Sequence, residues 1–279
     1  MGRLATMLKK AQDSHTAVLA LNIYSRESIR GCLLAAEKAQ QPLILAFGRR
    51  YLDVMSLEEA VALFRLNSRD IHVPVCLHLD HCADLDILKQ AVDAGFDSVM
   101  IDGSALSYEE NIALSREAVL YAHSKGVDVE AELGAIRTGA KSSEDSGDIQ
   151  LYTDPLEAKE FCKRTECDAL AVSIGTVHGL YKVKPDVRID VLKAVRAAVD
   201  TPLVLHGGSG TGTEVLKECI REGITKININ TELSNYCRDK LKGWLAENDP
   251  HMSVLSKKTV SLYEEAAALE FRELLEENV

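Results

Sequence analysis

Positive charge is in short supply in this sequence. Lys and Arg number 32 against 43 Asp and Glu, for a formal net charge of −11 over 279 residues. So acidic a surface repels phosphate backbones and anionic lipid, which excludes nucleic acid and membranes as expected partners. No apolar stretch approaches the roughly 18 residues of a membrane-spanning helix. The opening segment MGRLATMLKKAQDSH is too polar for a secretory leader, and its Leu4, Met7 and Leu8 fit one face of a short helix. No two of the seven cysteines form a CxxC pair; Cys76 lies in an apolar run, and Cys162 and Cys167 flank a predicted helix end. An odd number so placed suits reduced thiols, not a disulfide framework, so a cytoplasmic protein is expected.

Also missing are a GxGxxG string after the first strand, a Ser/Pro-rich linker and an internal repeat. What is there is a regular alternation. Short apolar runs at 17–23, 43–47, 73–79, 97–101, 127–132, 168–174, 202–205 and 224–229 read as strands. Between them lie helical patterns such as ESIRGCLLAAEKAQ, LDILKQAVDAG and EVLKECIREG, with apolar residues three and four apart. Continuously apolar strands alternating with helices imply a parallel sheet covered by helices. Eight such units predict an α/β fold, a (β/α)8 TIM barrel forming a single domain over 1–279. An additional C-terminal helix is expected from about 251 to 278, with Leu262, Ala266, Leu269 and Leu274 on its apolar side. The polar stretch 134–152 reads as a long functional loop, such as a lid.

Three histidines end apolar runs: His81 in VPVCLHLDH, His178 in DALAVSIGTVH and His206 in TPLVLH. Functional groups in such barrels gather where strands end, which puts Asp80, His81, Asp102, Glu132, His178, His206 and Asn228 on one rim. Three rim imidazoles satisfy the count for a catalytic zinc site with an open position. His15, His72, His78, His123 and His251 read as structural or surface residues. After His206 come Gly207, Gly208, Ser209 and Gly210, then a helix; the next strand enters its helix through NINT (228–231). Amides in such turns, at helix N-termini after the last two strands, favour a phosphate.

The strings HLDHC (78–82), MIDGS (100–104), EAELG (130–134), SIGTVHGLYK (173–182), LVLHGGSG (203–210) and KININTEL (226–233) resemble the class II, zinc-dependent ketose-bisphosphate aldolases. The likeness is nearest the tagatose- and fructose-bisphosphate branch and runs from about Asn22 to about Trp244. It implies that His81, His178 and His206 hold Zn2+, that Asp80 exchanges a proton with the aldehyde-derived oxygen, and that Asp102 and Glu132 stand near the metal. It further implies that Asn22, Gly179, Lys182, Gly207, Gly208, Ser209, Asn228, Asn230 and Thr231 surround the substrate and its phosphate. A monovalent cation, Na+ or K+, would border Gly179, Gly207 and Ser209. The implied reaction reversibly cleaves a phosphorylated ketose to dihydroxyacetone phosphate and an aldehyde. Zinc stabilises the enediolate as a Lewis acid while Asp80 carries the hydroxyl proton, so no Schiff-base lysine is needed. Lys226 then has a structural reading, and Lys182 reads as a phosphate contact. A homodimer or homotetramer is implied as well.

Two segments depart from the family pattern. After the fifth strand the loop reads RTGAKSSED, which puts Ala140 where the family carries a catalytic glutamate; Glu144 or Asp145 are the candidates to serve instead, or are solvated loop residues. The segment DPHMSVLSKK (249–258) has no arginine for the far phosphate, leaving Lys257 or Lys258, or else Arg49 and Arg50 after the second strand, which also read as surface residues. Two alternatives follow: a ketose 1-phosphate whose aldehyde half bears no phosphate, and a catalytically silent sugar-phosphate-binding barrel.

Overall fold

All eight expected strands form: β1 (Val18–Asn22), β2 (Leu43–Gly48), β3 (Val75–Cys82), β4 (Ser98–Ile101), β5 (Asp128–Leu133), β6 (Ala169–Val172), β7 (Leu203–Leu205) and β8 (Ile224–Ile229). In the computed structural model they close, each parallel to its sequence neighbours and β8 to β1, into a TIM barrel. The structure describes residues 2–134, 137–138, 152–178 and 186–276, with 137–138 and 177–178 described by backbone alone.

Each strand is followed by a helix: α2 (Arg26–Ala39), α3 (Leu57–Asn67), α4 (Leu85–Ala94), α5 (Tyr108–Ser124), α6 (Pro155–Thr165), α7 (Ile189–Ala198), α8 (Thr213–Arg221) and α9 (Thr231–Glu247). Local chemistry starts and stops them. Ser25, Ser56 and Ser107 open α2, α3 and α5 as capping boxes, and Asp84 and Asp154 accept the first amides of α4 and α6. Gly95 ends α4 in the left-handed region at φ 104°.

Two further helices bracket the barrel. An N-terminal helix, α1 (Arg3–Asp13), plugs the lower mouth: the Asp128 carboxylate accepts from the Gly2 and Ala5 amides, and Leu4, Met7 and Leu8 pack beneath Val18, Ile44 and Cys76. The expected C-terminal helix is α10 (Met252–Leu275). Leu262, Ala266 and Leu274 are buried as its pattern requires, Leu269 is half-buried, and Tyr263, Ala267 and Phe271 join the buried face. It lies against α2, where the bare Gly31 admits it: a Cβ there would stand 2.4 Å from the Tyr263 Cβ. Among the described residues no helix is long and apolar enough to cross a membrane.

The side chains pointing into the barrel change character with height. Alternation along a strand sends every second residue inward. β1 to β3 contribute Val18, Ile44 and Cys76 at the bottom, where the interior is apolar. Next above, His78, Ser98, Glu130 and Lys226 make a polar layer without solvent access. At the top the register places Asn22 beside Ala46, Gly48 beside Asp80, and Glu132 beside Ala171. The site is built on that polar layer.

Candidate active site

Strict alternation would turn Asp80 and His81 to opposite sides of β3. The strand avoids this with a register shift against β4 between Leu79 and Cys82, and with His81 at φ 50°. A left-handed backbone at a non-glycine residue costs about 1–3 kcal/mol and is kept where a site requires it. Both side chains consequently reach the same cavity.

Asp80 is 2% exposed and fully engaged. Its Oδ2 accepts from Asn22 Nδ2 at 3.0 Å and its Oδ1 from Asn228 Nδ2 at 2.9 Å. Burial opposes its charge, but His81, His206 and Lys226 outweigh that and hold the carboxyl well below the usual carboxylate range. It is an ionised carboxylate on a rigid mount.

His206, at the end of β7, has no exposed side chain, and its Nε2 lies 2.7 Å from Glu130 Oε1. A carboxylate only accepts, so that nitrogen carries the proton and Nδ1 is left with a lone pair. His81 repeats the arrangement: its Nδ1 is 3.4 Å from Asp102 Oδ2, which leaves the lone pair on Nε2. These two inner nitrogens face one another across 2.9 Å. Two lone pairs at that separation call for a proton or a cation between them. Without metal, burial lowers the His81 pKa, but Asp80, Asp102 and Glu132 more than reverse this and push it up to about 9. Burial, and then the charge on His81, lower that of His206.

Donor atoms of Asp80, His81 and His206 lie within 4.8 Å of one another, as do those of His81, Asp102 and Glu132. Glu132 Oε2 is buried without a hydrogen-bond partner, and burial followed by the nearby Asp102 carboxylate raises the Glu132 pKa well above normal. An orphaned carboxylate oxygen beside two converging imidazole lone pairs fits a divalent metal. Ser104 holds Asp102 through its amide at 3.1 Å and its hydroxyl at 2.6 Å, and burial notwithstanding, His81 and Ser104 keep the Asp102 pKa down at about 2.

The cavity above these groups has a volume of about 440 Å³. One wall is the turn after β7 and the start of α9, with Gly207, Ser209, Asn230 and Thr231 on its surface. Ser209 Oγ accepts from the Asn230 and Glu232 amides at 3.3 Å, tying the turn to the helix N-terminus. Gly208 lies behind this wall, its amide donating to the Asn228 carbonyl at 3.2 Å. Gly210 gives its amide to Glu232 Oε1 at 2.8 Å. The face that this turn presents to the cavity is therefore narrower than the run of glycines implies. Gly48, Arg49 and Arg50, at the end of β2, line the cavity as well.

Comparison with known proteins decides the family. The family described as Fructose-bisphosphate aldolase class-II matches residues 2–277. The chain belongs to that family. It is 41% identical to YdjI of Escherichia coli K12 over 223 residues, 80% of each chain. The crystal structure of the YdjI aldolase superposes with a TM-score of 0.88 at 35% identity, over 99% of this chain and 98% of that one. Fructose-bisphosphate aldolase (Fba) from Campylobacter jejuni shares the fold at 24% identity, with a TM-score of 0.82 over 97% and 93% of the two chains.

Within this family member, Asp80, His81, Asp102, Glu132, His206, Asn22 and Asn228 come together as the rim rule requires. His178 sits by its backbone in a two-residue strand, Val177–His178, paired with Arg137–Thr138; its side chain lies outside the described residues. Ala140, Glu144, Asp145, Gly179 and Lys182 also lie outside them. Lys257 and Lys258 fall on α10, away from the cavity, whereas Arg49 and Arg50 line it. His72, His123 and His251 face Glu37, Asp168 and Ser253 at the surface, and His78 is interior, with Nδ1 2.8 Å from Ser98 Oγ. Sequence reasoning missed Glu130, which bridges His206 and Lys226. The signal was present: Glu130 lies two residues before Glu132 and shares its inward face.

Proposed function

We propose that this family member is a zinc-dependent aldolase that reversibly cleaves a phosphorylated ketose, of the fructose- or tagatose-1,6-bisphosphate kind, to dihydroxyacetone phosphate and an aldehyde. The observation that carries the reading is the ionised, doubly anchored Asp80 beside the 2.9 Å gap between His81 Nε2 and His206 Nδ1. His81, His206 and His178 would hold the metal, with Asp102 and Glu132 at hand; imidazole donors and an open position suit zinc. When bound, the metal supplies a Lewis acid that stabilises the negative charge left on the ketone half.

The protein's own groups do the rest. Gly207, Ser209 and Thr231, at the start of α9, take the phosphate of the ketone half. Asp80 accepts the proton of the hydroxyl next to the scissile bond; that oxygen becomes the aldehyde as the carbon–carbon bond breaks, and the bonding pair passes to the ketone half. Asn22 and Asn228 keep Asp80 from rotating away. Glu144 or Asp145 then returns a proton to the carbon that received the pair, and with Lys182 completes the site from the segments after β5 and β6.

The test is release of dihydroxyacetone phosphate from a ketose bisphosphate, followed with and without chelator. Metal-dependent cleavage is expected, with His206→Ala losing both bound zinc and turnover. Retention of both by that variant overturns the assignment.

A further inference from the structure

Asparagine is among the best residues for opening a helix, because its side-chain oxygen accepts the amide of the second or third helical residue. Asn230 stands at that opening position of α9 and does not do this. Ser25, Ser56, Asp84 and Asp154, at the same position of α2, α3, α4 and α6, each accept an amide of the first turn. The Asn230 backbone, at φ −129° and ψ −61°, is likewise outside the extended geometry of a capping residue. Its Nδ2 donates instead to the Tyr51 hydroxyl at 3.0 Å, 179 residues away in sequence. The Glu232 amide, which a capping Asn230 would take, goes at 3.3 Å to Ser209 Oγ from the turn after β7.

Tyr51 is firmly held for this bond. β2 ends at Gly48, and the chain runs on into a single 3-10 turn, Arg49–Tyr51. A Cβ on Gly48 would stand 3.0 Å from the Tyr51 ring, so the turn is packed onto the strand end. The ring lies 6.3 Å from that of Phe47 and 5.1 Å from that of Tyr24. Tyr24 is fixed in turn by α10, its hydroxyl lying 2.6 Å from that of Tyr263. Tyr51 does not line the cavity that holds Asp80. It lines a separate cleft of about 360 Å³ with Tyr24 and Val54, and Asn230 and Thr231 belong to both spaces.

We propose that Tyr51 is a positioning residue for the phosphate of the ketone half: by drawing Asn230 away from the start of α9, it reserves the Glu232 amide for Ser209 and keeps the turn after β7 docked on that helix. The proposal rests on the aldolase reading of the same site, in which Gly207, Ser209 and Thr231 take that phosphate. Without the Tyr51 hydroxyl, Asn230 is free to accept the Glu232 amide itself, and Ser209 loses one of the two bonds that tie its turn to α9. The cost falls on the phosphate and not on the helix, since one cap replaces another.

The test is Tyr51→Phe, which keeps the ring and removes the hydroxyl. The KM for the phosphorylated ketose is expected to rise by about 2- to 30-fold, the free energy of a helix cap expressed as a ratio. The Kd of the zinc-loaded protein for inorganic phosphate, read by calorimetric titration, should rise in the same range. Both kcat and Tm should hold, because Asp80 is anchored by Asn22 and Asn228 and α9 stays capped. In an Asn230→Ala background the same change should move neither constant further, because Tyr51 acts only through Asn230. Unchanged KM and Kd in Tyr51→Phe, with or without a fall in Tm, overturn the proposal, as does an equal loss in the Asn230→Ala background. In those cases turnover by the wild type leaves the aldolase reading standing. A wild type that neither cleaves a ketose bisphosphate nor binds phosphate overturns that reading and the proposal with it.

Discussion

Lys226 Nζ donates to Glu130 Oε2 at 2.7 Å, and neither side chain exposes any surface. Burial alone would raise the Glu130 pKa, but Lys226 first, and then His206 and His78, hold it well below the usual range. The pair delivers a fixed negative charge to the outer nitrogen of His206. Lys226→Met leaves that charge uncompensated and should cost about 3–5 kcal/mol in denaturant unfolding. Glu130→Gln keeps an acceptor for the imidazole proton but removes the charge, and should weaken zinc binding about 10- to 100-fold in chelator competition. The double variant should lose less stability than the sum of the single changes, since neither charge is then stranded.

Asp80 has a donor on each oxygen, Asn22 on one and Asn228 on the other. Each donor stabilises the charged form, so removing one raises the pKa of the base. Asn22→Ala and Asn228→Ala should both lower kcat, because the carboxylate is then held from one side only. A hydrogen bond to a charged group contributes about 1.5–3 kcal/mol, or roughly 10- to 150-fold. A kcat equal to that of the wild type in either variant would show that the amide does not support Asp80.

Much of this was legible before any coordinates. The eight strands announce themselves because parallel strands buried on both faces are continuously apolar, and Asp80, His81 and His206 follow from where those runs stop. What stayed hidden depends on contacts between distant positions. That Asn22 and Asn228, from β1 and β8, converge on a carboxylate of β3 is a product of barrel closure. The same holds for Glu130 and Lys226, 96 residues apart in sequence. His81 defeats a period-two reading outright, because its left-handed backbone and the neighbouring register shift turn it back to the face of Asp80. Arg49 and Arg50 could not be placed on the cavity wall until the register set Gly48 beside Asp80.

The raised pKa of His81 makes a prediction for the metal-free protein. Its ordinary value is 6.5 and burial would lower it, yet Asp80, Asp102 and Glu132 push it up to about 9. A raised folded-state pKa gives stability that is complete below 6.5 and is lost as pH climbs towards 9. Glu270, raised to about 8 by burial and then by Glu232 and Glu273, acts in the same direction over 4.5 to 8, but far from the metal donors. His206, with a lowered pKa, acts only below 6.5. The Tm of chelated protein should thus fall between pH 6.5 and 9. Zinc, which needs neutral His81, should reverse the His81 share of that slope; identical slopes with and without zinc would contradict it.

Gly208 carries no group that touches the cavity, yet its replacement should damage the reaction. A Cβ there would lie 2.8 Å from the Asn228 carbonyl oxygen and 2.8 Å from Ile227 Cγ2, both on β8. Neither is the free end of a flexible side chain, so the turn and the strand must part. Overpacking of this kind costs about 1–3 kcal/mol. The strand that yields carries Asn228, which holds Asp80 at 2.9 Å and approaches His206 Nδ1 at 3.2 Å. The turn that yields carries Gly207 and Ser209, proposed above to take the phosphate. Gly208→Ala should consequently raise KM for the phosphorylated ketose and lower kcat together, with a Tm only a few degrees below wild type. If KM rose while kcat held, the displacement would be confined to the turn, and the link from Gly208 through Asn228 to the base would fail.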